Sequence, residues 1–150
     1  MTFRAAFYRG TRPGVAGIYN RLVRWWTRSE YSHVELVFST GHSASASFED
    51  KGVRFKVIDF DPAHWDFIDL PRHLEARAFL WFEKHRGLKY DSLGNLHFIV
   101  SPVGHDKRRW FCSEAVAAAL GIPDPWRYTP ATLASTLRAL TKPASAGFSL

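Results

Sequence analysis

A chain of 150 residues, 46% hydrophobic and 15% aromatic, has the composition of a folded globular protein, long enough for one real core and needing no second domain. Its single cysteine excludes an intramolecular disulfide and fits a reducing compartment, and no apolar window reaches membrane-spanning length. With 20 Lys and Arg against 14 Asp and Glu, a formal charge of +6, the chain attracts acidic partners such as phospholipid or teichoic head groups, peptidoglycan carboxylates and nucleic acid without choosing among them.

The N-terminal run Met1 to Arg9 has arginines interrupting any apolar stretch, so no secretory signal is expected, and Phe3 to Tyr8 reads as a strand. After the turn-rich Arg9-Gly10-Thr11-Arg12-Pro13-Gly14, the stripe Ile18, Leu22, Trp25 and Trp26 predicts a helix over 15–28 with a basic flank. In Tyr31 to Phe38 strict alternation sends Val34, Leu36 and Phe38 to one face and His33, Glu35 and Val37 to the other. A hairpin at Ser39-Thr40-Gly41-His42 leads to strands over 43–48 and 52–59, with a fourth over 65–70. Pro71 is expected to open a helix running to Lys84 with Leu74, Ala78, Phe79 and Phe82 inward, ended by Gly87. A short apolar segment over 93–100 precedes the break Ser101-Pro102-Val103-Gly104. Helices over 113–120, stopped by Gly121-Ile122-Pro123, and over 131–140, opened by Thr129-Pro130, complete the pattern. The expectation is an α+β fold: an antiparallel sheet packed against helices, one domain over 1–140, and a loose tail over 141–150.

Chemistry concentrates at Trp110-Phe111-Cys112-Ser113-Glu114, where an aromatic run turns into an alanine-rich helix. A helix start presents unpaired N–H groups and the positive end of the macrodipole, a setting that suits a thiolate nucleophile and an oxyanion. All seven histidines precede Cys112, so a base must come from upstream, and His33 at the start of its strand is the best placed. No Cys-x-x-Cys or His-Glu-x-x-His occurs, so no metal site and no cofactor are expected, although His33, Glu35 and another imidazole would make a two-His-one-carboxylate set. His105 and the basic run Asp106-Lys107-Arg108-Arg109 lie just ahead of Cys112, either as a solvated loop or as a rim that steers substrate carboxylates.

Three pieces in order, Tyr31-Ser32-His33, Gly87-Leu88-Lys89-Tyr90-Asp91 and Phe111-Cys112-Ser113-Glu114, resemble the circularly permuted NlpC/P60 group of papain-like cysteine hydrolases, which includes YiiX-like amidases and lecithin retinol acyltransferase-like proteins. The resemblance spans residues 31 to 120 and implies a papain-like fold with Cys112 as nucleophile and His33 as base. The family's third, orienting residue sits on the strand after the histidine strand, which here falls at Ser45. A serine can hold an imidazole tautomer but cannot stabilise an imidazolium as a carboxylate does. Glu35, on the same strand face as His33, is the rival orienter, with Ser47 and Glu49 as lesser ones, and Tyr31 or Tyr8 as an oxyanion donor.

The function classes implied are a cysteine peptidase or amidase acting on peptidoglycan-type peptide or isopeptide amides, a lipid acyltransferase or thioesterase, and a non-catalytic binding or virion-structural module. The chain would work in the cytoplasm or be carried in a phage particle. The arginines are dispersed and no nucleic-acid reading motif is present.

Overall fold

The computed structural model describes residues 2–10, 21, 30–90 and 109–141. The architecture is α+β. Five strands of five residues, β1 (Arg4–Tyr8), β2 (His33–Val37), β3 (Ser43–Ser47), β4 (Gly52–Lys56) and β5 (Trp65–Asp69), are joined by two short ones, β6 (Lys89–Tyr90) and β7 (Arg109–Trp110). They form one sheet in the order β5-β1-β2-β3-β4-β6-β7. Every pairing is antiparallel except β6 with β7, which is parallel. Three helices are described in full: α1 (Glu75–His85), α2 (Cys112–Leu120) and α3 (Pro130–Thr141).

The period-two pattern sorts the sheet into two faces. Ala5 and Phe7 of β1, Val34 and Leu36 of β2, Ala44 and Ala46 of β3 and Val53 of β4 join Ala78 and Phe82 of α1 and Leu133, Ala134 and Leu137 of α3 in the main core. Helix α2 lies at its centre: every residue but Ala118 is buried, and its four alanines let neighbouring elements approach closely. On the other face Ala6, Val37 and Trp65 form a smaller cluster with Tyr8, Phe60 and Phe67 packed on it.

The strands expected over 3–8, 43–48, 52–59 and 65–70 match β1, β3, β4 and β5 to within a few residues. Pro71 does not open an α-helix directly: its carbonyl accepts Leu74 N–H at 3.0 Å, so a 3-10 turn over Arg72–Leu74 precedes α1. Phe79, expected inward, is 40% exposed, though its ring meets Phe38 edge-on. Gly121 ends α2 at φ 75°, where its N–H bonds Ala118 O and that of Ile122 bonds Ala117 O. Gly52 is required by closeness instead, since a Cβ there would sit 2.2 Å from Leu88 O, where β4 meets the chain entering β6. The helix expected over 15–28, Arg21 excepted, the segment over 93–100 and the tail from 142 lie outside the described residues. Among the described residues no helix is long and apolar enough to cross a membrane.

Candidate active site

Strand β7 delivers the chain to Cys112, which is the first residue of α2 and is 5% exposed. Phe111 ahead of it is extended, at φ −87° and ψ 163°, so the chain turns sharply from strand to helix. Two side chains fix that turn. The Glu114 carboxylate accepts the Phe111 N–H at 3.3 Å, and the Ser113 hydroxyl donates to Tyr128 O at 2.6 Å, tying the helix start to the turn Pro125–Arg127. The first-turn N–H groups of a helix have no partner within it, so the Cys112 amide is placed to receive developing negative charge.

His33 is the first residue of β2 and pairs in register with Tyr8 of β1. Its ring nitrogen Nε2 lies 2.7 Å from Glu35 Oε1, and its edge faces Trp65 with centroids 6.4 Å apart. Cys112 is its other hydrogen-bonding partner. Burial, the largest influence, pushes the imidazole pKa down, but the charge and hydrogen bond of Cys112 and then those of Glu35 more than offset it and raise the value to about 9. An ionised carboxylate only accepts, so Nε2 carries the proton toward Glu35 and Nδ1 is the nitrogen left for the thiol.

The Glu35 carboxylate has no solvent exposure. Burial favours its neutral form, yet hydrogen bonds and charge from Arg54 and His33 hold its pKa down at about 2. Arg54 of β4 meets both oxygens, with the two terminal guanidinium nitrogens each 2.6 Å away. Its Nε donates to Asp50 Oδ2 at 2.7 Å, and Asp50 also takes Lys56 Nζ at 3.2 Å. The result is one line of contacts from the thiol to the surface: Cys112, His33, Glu35, Arg54, Asp50, Lys56.

Of the residues singled out from sequence, His33, Glu35 and Cys112 come together. Ser45 does not touch the imidazole: its hydroxyl donates to Val34 O at 2.7 Å, and the contact expected of it is made by Glu35. The reason is register and spacing: with Leu36 paired to Ala44, antiparallel stepping sets Ser45 opposite Glu35 rather than His33. Ser45 lies opposite Arg54 on the strand between β2 and β4, two inter-strand steps of roughly 10 Å in all. Long Glu and Arg side chains span that distance over a small residue. Ser47 Oγ accepts the Asp50 N–H at 3.3 Å, and Glu49 is exposed in the β3–β4 turn. Tyr31 donates its hydroxyl to Asp66 at 2.6 Å and accepts from Arg138 at 2.5 Å, so it is committed elsewhere; Tyr8 packs on Trp65 with centroids 5.0 Å apart.

His85 stacks on Trp81 and meets Trp110 edge-on, and His64 bonds Asp61, while His97, His105 and the run from 106 to 108 lie outside the described residues. Among the described residues no three His, Cys, Asp or Glu side chains group as a metal would need. Arg54 and Asp50 went unread in the sequence, although a carboxylate on a strand face demands a cation, and Arg54 has the right alternation to supply it. Neither a protein-family model nor a curated protein matches this chain.

Proposed function

We propose that this chain is a cysteine hydrolase with a permuted papain-like fold, cleaving amides through an acyl-enzyme. The observation that carries the reading is the line Cys112–His33–Glu35, in which a buried ionised carboxylate fixes an imidazole against a thiol at a helix start. His33 Nδ1 takes the thiol proton, and sulfur attacks the carbonyl carbon while the Cys112 N–H receives the oxyanion. The C–N bond breaks as Nδ1–H protonates the leaving amine, giving a thioester. Water then gives its proton to His33 and attacks the thioester, whose C–S bond breaks to release the acid and restore the thiol.

The substrate class proposed is a peptidoglycan-type peptide or isopeptide, whose carboxylates suit a chain of charge +6. Muropeptides incubated with the protein and followed by mass spectrometry test this. Cleavage is expected from wild type, with a loss of about 10²–10⁴-fold in His33→Ala and a complete loss in Cys112→Ala, both proteins remaining folded. A Cys112 adduct formed only from lipid acyl donors would replace the amidase with an acyltransferase. Cleavage surviving Cys112→Ala would remove the thiol from the chemistry.

A further inference from the structure

We propose that Arg54 is a positioning residue of the same site, holding Glu35 ionised and aimed so that His33 keeps the tautomer a base requires; this rests on the Cys112–His33 reading. Arg54 is not needed to fill a gap in the core, since its stem crosses the polar face beside Ser45 and its fork is spent wholly on acids. Without the fork, Glu35 would be a carboxylate with no solvent exposure and a single imidazole partner. Burial then favours the protonated acid. A protonated Glu35 donates its proton to Nε2, the neutral ring carries hydrogen on Nδ1, and the nitrogen facing the thiol can no longer accept. The hydrogen bond would survive with its direction reversed and the base would be disabled.

Asp50 supports this one step out. It receives the Arg54 Nε that Glu35 leaves unused, and its pKa is lowered to about 2, with burial opposing and Arg54 and Lys56 driving the shift. The charged groups around the line are therefore Cys112 from α2, Glu35 from β2 itself, Arg54 and Lys56 from β4 and Asp50 from the turn between β3 and β4, with Tyr8 of β1 opposite His33 in register. Lysine cannot replace the fork, because a single ammonium satisfies one oxygen at a time.

The test is the titration of His33 followed by NMR, with the rate of Cys112 alkylation by iodoacetamide at neutral pH, in wild type, Arg54→Met, Arg54→Lys, Asp50→Asn and Cys112→Ser. Wild-type His33 is expected to titrate near 9. Arg54→Met is expected to lower that by about one unit or more and to slow alkylation by about 10- to 100-fold, the range typical when an outer partner of a ligating imidazole is removed. Arg54→Lys should fall between, and Asp50→Asn should move both readouts in the same direction by less. The proposal is overturned if Arg54→Met, or Arg54→Lys where the methionine protein does not fold, titrates and alkylates as wild type does. If His33 does not respond to Cys112→Ser, the Cys–His reading itself fails. If it responds to Cys112→Ser while both Arg54 variants leave it unmoved, only the role of Arg54 falls.

Discussion

Around β3 the two faces of the sheet are buried by opposite means. One is filled by Val34, Leu36, Ala44, Ala46 and Val53 against helices, with no directional bond to satisfy. The other buries Glu35, Ser43, Ser45 and Ser47, and each depends on a partner at a set distance: Glu35 on Arg54 at 2.6 Å, Ser43 on Lys56 O at 2.9 Å, Ser45 on Val34 O at 2.7 Å. The first face tolerates exchange of one apolar shape for another. The second does not, because a buried charge left alone costs far more than a lost apolar contact of the same size.

That contrast is broken most sharply at the fork. Arg54→Ala is expected to destabilise by about 3–5 kcal/mol by leaving Glu35 uncompensated, whereas replacing Glu35 and Arg54 together by apolar residues of similar volume should recover most of the loss. Denaturant melts of the single and double variants check this, and equal destabilisation by both would sink the argument. Leu36→Ala, one residue along on the apolar face, is expected to cost about 2–5 kcal/mol with no effect on the pH dependence of stability.

The pH dependence itself comes next in size. Glu35 is held at about 2 against an ordinary 4.5, so its contribution is present above about 4.5 and is lost as pH falls from there toward 2. His33 is raised to about 9 from 6.5, so its contribution is full below about 6.5 and is lost as pH rises toward 9. Stability should therefore be greatest between about pH 4.5 and 6.5. Glu35→Gln should flatten both limbs, by on the order of 2 kcal/mol on the acid side; thermal melts across pH would show it. Least of all, Lys56→Gln at the exposed end of the line should stay within about 0.5 kcal/mol, since Lys56 is 49% exposed.

The same contrast explains what the sequence made legible. Alternation in His33-Val34-Glu35-Leu36-Val37 needs no partner to be read, so the strand and its two faces were plain, as were the Gly121 stop and the helix start at Cys112. The His33–Cys112 pairing followed from order and a resemblance. By sequence alone Ser45 and Glu35 both qualify as the orienter, because the choice depends on which strand lies beyond β3. Only the sheet order brings Arg54 across Ser45 to Glu35. A lone strand arginine looks solvated until the acid it meets is known.

The most direct measurement is the NMR titration of His33 in wild type and in Cys112→Ser, with the fold of both checked by amide spectra. The coupled pair requires a wild-type value near 9 that falls when the thiol is removed. A value at or below the ordinary 6.5, or one indifferent to Cys112, would contradict it and make Cys112 a packing residue of the core.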